Sequence, residues 1–153
     1  MRALALLVAL VLPLAAAALA PHQTEAPPTG IVSLAALRNR ARPLLVFAPR
    51  PDDPQLEIQL RRLAADAPSL TERNVVVIAI PYQSPTTTAA TLTATDAEAA
   101  RRRFNVPPTD FAVILLGKDG GEKLRSAKPL TLDQLRQTID AMPMRQEEMR
   151  RHP

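Results

Sequence analysis

Three short runs of the chain are apolar at every position: Leu44-Leu45-Val46-Phe47-Ala48, Val75-Val76-Val77-Ile78-Ala79-Ile80 and Phe111-Ala112-Val113-Ile114-Leu115-Leu116. A strand with one wet face alternates apolar and polar residues, so unbroken runs of this length predict strands covered on both sides. Between them the period changes. Leu56, Leu60, Leu63, Ala64 and Ala67 share one helical face, with Gln55, Arg61, Arg62 and Asp66 elsewhere and Ile58 off the stripe. Asp53 before Pro54 starts this helix, because its carboxylate accepts from orphan amides where proline needs no donor, and Pro68 stops it. Ser33 caps a shorter helix through Leu34 and Leu37 to Arg38.

Residues Ser84 to Thr95 are threonine-rich and predict an exposed loop, after which Thr95 and Glu98 form a capping box. Ala97, Ala100 and Phe104 then share a face, and Arg101, Arg102 and Arg103 leave the helix in successive directions. Gly117-Lys118-Asp119-Gly120-Gly121 carries Asp-Gly turn chemistry and predicts a hairpin into Glu122-Lys123-Leu124-Arg125. A second capping box, Thr131 with Gln134, opens a helix lined by Leu132, Leu135, Ile139 and Met142 and halted by Pro143. The order is β-α-β with a right-handed parallel crossover, a helix, a β-hairpin and a closing helix. That is the order of the thioredoxin-like fold, an α/β sandwich whose four-stranded mixed sheet has helices on both faces.

The first twenty residues have a different character. Arg2 precedes an apolar run from Ala3 to Leu12, followed by Pro13 and a small-residue stretch from Ala15 to Ala20, the layout of a signal peptide. Cleavage after Ala18 or after Ala20 both fit, and the run is too short to remain as a stable membrane anchor. The expected division is a signal peptide over 1–20, a flexible leader over 21–32, one folded domain over 33–145 and a charged tail over 146–153. The mature chain is then exported, periplasmic or secreted. Alanine and proline richness, with only three lysines among 19 basic residues, suggests a GC-rich bacterial coding sequence.

Composition narrows the chemistry. The 153 residues contain no cysteine, which excludes thiol catalysis, thiolate metal sites and disulfides, and the two histidines, His22 and His152, sit near the chain ends. No catalytic residue, metal site or cofactor is therefore expected. A net charge of +4, one Tyr, three Phe and no Trp leave little for nucleic acid to stack on. The loop after the first strand holds Arg50, Asp52 and Asp53 where open α/β sheets bind ligands, although self-capping by the aspartates is the favoured account of them. Lys118 at the hairpin turn is a further candidate. So are Met142, Met144 and Arg145, where two flexible thioethers flank Pro143, either as packing filler or as an adaptable contact surface.

Two segments, Leu116 to Arg125 and Ile139-Asp140-Ala141-Met142-Pro143-Met144-Arg145-Gln146-Glu147-Glu148-Met149, together with Glu72-Arg73-Asn74 and Phe47-Ala48-Pro49, resemble a secreted domain-of-unknown-function family. That family occurs alone in bacteria and inside vertebrate sushi-repeat and coiled-coil-containing matrix proteins. The resemblance spans about Leu34 to Met149 and implies a thioredoxin-like, or peroxiredoxin-like, fold. In redox-active relatives of that fold the reactive cysteine follows the first strand, where this chain reads Ala48-Pro49-Arg50-Pro51-Asp52-Asp53. The relatives' proline before the third strand has no clear counterpart, because Pro107 and Pro108 lie several residues upstream of it. The expected function is a non-enzymatic binding or adaptor module for another protein, with Arg50 and the Met142 to Arg145 segment as contact surfaces. The alternative is a redox-related protein acting without its own cysteine.

Overall fold

A computed structural model describes residues 28–84 and 88–151. The expected signal peptide and most of the expected leader lie outside the described residues. The described chain begins with β1 (Gly30–Ile31) and the single-turn helix α1 (Leu34–Leu37), whose N-cap Ser33 accepts from the Ala36 amide as its spacing predicts. It then enters β2 (Arg42–Ala48), buried at every position. Helices α2 (Pro54–Ala64) and α3 (Ala67–Glu72) lead to β3 (Val75–Pro81), which pairs with β2 in parallel.

After β4 (Ala90–Thr91) and α4 (Ala94–Arg103), the chain forms β5 (Ala112–Leu116) and β6 (Glu122–Ser126). Helices α5 (Leu132–Asp140) and α6 (Pro143–Arg151) close the described chain. The sheet order is β3-β2-β5-β6, with β5 antiparallel to both neighbours, so the chain has the thioredoxin-like mixed sheet that the element order predicts. Gly120, in the left-handed region at φ 79°, makes the β5–β6 turn beside the Arg38 side chain.

The sheet separates two apolar layers. Leu45, Phe47, Ile78 and Ile114 pack on one side with Leu37 of α1, Ala100 of α4 and Phe104 at the end of that helix. Leu44, Val46, Val113 and Leu115 pack on the other with Leu56 and Leu63 of α2, Leu70 of α3 and Leu135 and Ile139 of α5. Each such leucine or isoleucine contributes about 1.5–3 kcal/mol through burial. This two-sided covering is why β2 and β5 carry no polar alternation inside their apolar runs. The outer strand β6 has Glu122, Lys123 and Arg125 on an exposed edge.

Several boundaries differ from the sequence reading. The predicted single helix through Ala67 divides in two: Asp66 caps α3 by accepting from the Ser69 amide, which makes Pro68 part of a helix start and not a stop. Helix α4 begins two residues early because Thr93 accepts from the Asp96 amide, so the Thr95–Glu98 box is not the cap. Part of the predicted threonine loop and part of the predicted leader pair as β4 and β1. Pro143 likewise opens α6, and residues 146–151 of the predicted charged tail form the body of that helix. Asp53 accepts from the Gln55 and Leu56 amides, and Thr131 and Gln134 form their predicted capping box.

Candidate functional site

Polar side chains gather at the two opposite ends of the sheet. At the carboxyl ends of β2 and β3, the loop after β2 holds three of the predicted residues. Arg50 donates from Nε to Asp52 Oδ1 at 3.0 Å, and this pair stands in solvent with side chains 66% and 79% exposed. The Arg50 hydrogen bond holds the Asp52 carboxyl below its ordinary value. Asp53 is buried and committed to the α2 amides at 2.9 and 3.3 Å. The three residues therefore form an exposed ion pair and a helix cap.

Beside this loop lies Arg101 of α4, only 6% exposed. Its Nη2 donates to the carbonyl oxygens of Ala48 at 2.7 Å and Ile80 at 2.8 Å, and Nη1 donates to Pro107 O at 3.1 Å. The guanidinium carbon lies 5.3 Å from the Phe47 ring centroid and 5.6 Å from that of Tyr82. Burial lowers the Arg101 pKa from its ordinary value. One guanidinium thus ties α4 to the ends of both parallel strands. Two cavities, of 430 and 730 Å³, are lined in common by Tyr82, Glu98 and Arg101. The arginine run does not single out this residue, yet its spacing does: Arg101 follows Ala97 by four positions and precedes Phe104 by three, on the apolar face of α4.

The opposite end brings Lys118 and Arg145 together. Arg42, at the start of β2 and 1% exposed, makes a two-pronged contact with Glu148 of α6 at 3.1 and 3.2 Å. Lys118 Nζ reaches the same Glu148 at 2.8 Å and donates to Asn74 Oδ1 at 2.9 Å. Arg145, 7% exposed, donates to Glu72 Oε1 at 2.6 Å and to Asp140 Oδ1 at 3.4 Å, and Arg73 grips Asp140 at 2.8 and 3.0 Å. Four cations surround three carboxylates. Burial pushes Asp140 and Glu148 upward, but Arg73 and Arg145 around the first, and Lys118 and Arg42 around the second, hold both below their ordinary values.

These contacts bind α6 to the body of the fold. Arg145 is consumed by them, Met142 packs in the core, and Pro143 and Met144, the latter 43% exposed, are the parts of the predicted Met142–Arg145 surface that face solvent. Sequence reading found Lys118 and Arg145 but not Arg42 or Glu148, which meet across 106 residues. Among the described residues no three His, Cys, Asp or Glu side chains converge as a metal-binding group.

Residues 33–148 match the profile of a family described as a domain of unknown function (DUF4174). No curated protein matches the chain. Among solved structures, a thioredoxin peroxidase I from Plasmodium yoelii is similar at 18% identity and a TM-score of 0.57, covering 76% of this chain and 80% of that one. The reduced 2-Cys peroxiredoxin of Plasmodium vivax follows at 16% identity and 0.56, covering 76% and 84%. A putative thiol:disulfide interchange protein DsbE from Chlorobium tepidum is similar at 16% and 0.53, covering 76% and 90%. At these identities the likeness is one of fold.

Proposed function

We propose, for a chain that belongs to the DUF4174 family and carries a thioredoxin-like fold without cysteine, that it is an exported, non-enzymatic module that binds another protein. The loop from Ala48 to Asp53 carries this reading. Redox-active relatives of the fold hold a thiol there, whereas this chain holds a solvent-exposed Arg50–Asp52 pair on a helix start already closed by Asp53. An exposed pair of opposite charges on a loop over a buried sheet suits recognition of a partner's polar surface and offers no thiol nucleophile. Export is read from the apolar run and small-residue stretch in the first twenty residues. Likeness to peroxiredoxins supports the redox-related alternative only through shape.

The test compares the wild-type mature chain with an Arg50→Glu/Asp52→Lys variant in quantitative capture from envelope extract. The variant loses specific proteins that wild type retains; recovery of the same set by both removes the reading. Insulin-reduction and peroxide-consumption assays on the purified chain stay at background. Enzyme-like turnover with contamination excluded overturns the non-enzymatic half.

A further inference from the structure

We infer that the crevice between α4 and the carboxyl end of β3 binds a small amphipathic monocarboxylate, its anionic end at Arg101 and its apolar body along α4. This goes beyond the protein-partner reading and does not depend on it. The reason begins with charge. Arg42, Arg73 and Arg145 are also withdrawn from water, and each has a carboxylate within 3.1 Å. No Asp or Glu among the described residues makes an ion pair with Arg101, which is buried among carbonyl oxygens and aromatic rings. A buried cation loses several kcal/mol of hydration, and carbonyl dipoles replace it without cancelling the charge.

Donor capacity also remains. A guanidinium has five N–H groups, and the contacts to Ala48, Ile80 and Pro107 use three of them. Tyr82 adds a hydroxyl that accepts from Gln83 Nε2 at 3.4 Å, leaving its own proton to donate. Arg101 and Tyr82 both line the 430 Å³ cavity, which is within the range of small-molecule sites and is walled by Ile80, Leu92 and Ala97. The 730 Å³ cavity meets it at Tyr82, Glu98 and Arg101.

The chemistry of these walls selects the ligand. A lone phosphate or sulfate would find one guanidinium and the Glu98 carboxylate in an otherwise mostly apolar space. A nucleotide would find no glycine-rich phosphate cradle. Glu98 opposes any anion here, although Arg102 lies 3.7 Å from its carboxylate, and it opposes a multiply charged one more strongly. A single negative charge on an aliphatic body therefore best suits both the guanidinium without an acidic partner and the apolar wall.

The experiment uses octanoate as probe, with octanol as the uncharged body and acetate as the bodiless anion. Calorimetry and backbone amide NMR on the wild-type mature chain show saturable octanoate binding, with shifts centred on Tyr82, Ala97 and Arg101. Octanol and acetate each bind at least about tenfold more weakly, the effect expected from losing one charged hydrogen bond or the apolar contact. Ala97→Phe fills the cavity and abolishes octanoate binding while the amide spectrum elsewhere stays native. Absence of saturation, equal binding of octanol, or undiminished octanoate binding by folded Ala97→Phe each overturns the inference. These wild-type measurements are independent of protein capture by the Arg50 loop, so failure of one reading is distinguishable from failure of the other.

Discussion

Glu148, near the end of the described chain, accepts from both terminal nitrogens of Arg42, 106 residues earlier, at 3.1 and 3.2 Å. The contact joins the last helix to the first residue of the central strand. Arg42 is almost wholly withdrawn from solvent, and its Nε is the one buried side-chain polar atom without a hydrogen-bond partner among the described residues. Glu148 therefore supplies the main electrostatic compensation for a buried guanidinium.

Removing one member of this pair is expected to cost more than removing both. Glu148→Ala leaves the Arg42 charge unpaired and destabilises the fold by about 3 kcal/mol in chemical denaturation. Arg42→Met with Glu148→Leu recovers part of that loss, because a buried ion pair contributes little relative to well-packed apolar replacements, while Lys118 still loses its contact with Glu148. Equal losses in the single and double variants contradict this account.

Acid is expected to loosen α6 before the sheet. Glu148 and Asp140 are both held below their ordinary values by neighbouring cations, so the native state binds fewer protons than the unfolded chain. Their contribution is present above the ordinary carboxylate range, near pH 4, and is lost as pH falls through the depressed native values. Amide exchange measured from pH 7 down to about 3 shows protection of residues 143–151 falling while β2 and β5 remain protected. The Glu148→Ala variant shows a flatter pH dependence.

The apolar runs made the sheet readable because strands covered on both faces have no polar positions to interrupt them. Arg42 was not readable as buried because a charged side chain enters a periodicity analysis as surface, and for Arg101 the sole signal was its spacing from Ala97 and Phe104. Their burial depends on acceptors 106 and 53 residues away in the chain. Prolines were ambiguous for another reason: a residue that ends one helix is equally suited to the first turn of the next, as at Pro68 in α3 and Pro143 in α6. The candidate residues Lys118 and Arg145 converge on one network through Glu148, which local spacing does not encode.

The loop after β2 separates a structural aspartate from an exposed one. Asp53→Ala removes the cap of α2 and costs about 1 kcal/mol. Asp52→Ala leaves stability close to that of the wild type, since its pair with Arg50 stands in water. Urea denaturation of the two variants distinguishes these roles, and a larger loss for Asp52→Ala refutes the assignment.

Gln59 is a second buried polar anchor, fully covered within α2. Its Oε1 accepts from the Leu130 amide at 2.7 Å and its Nε2 donates to the Leu130 carbonyl at 3.4 Å. Gln59→Leu leaves both backbone groups without this partner and is expected to cost about 1–3 kcal/mol. A neutral change in the thermal midpoint contradicts that role.

The open rim of the sheet has its own consequence. Along β6, Glu122 pairs with Arg125 and Lys123 with Asp119 at 2.8 and 2.7 Å, and the ladder to β5 is irregular at Leu115/Leu116. An approaching extended chain would have to dehydrate those ions before it gained a single ladder hydrogen bond. Crowded copies of the protein are consequently held back from stacking edge upon edge on this side.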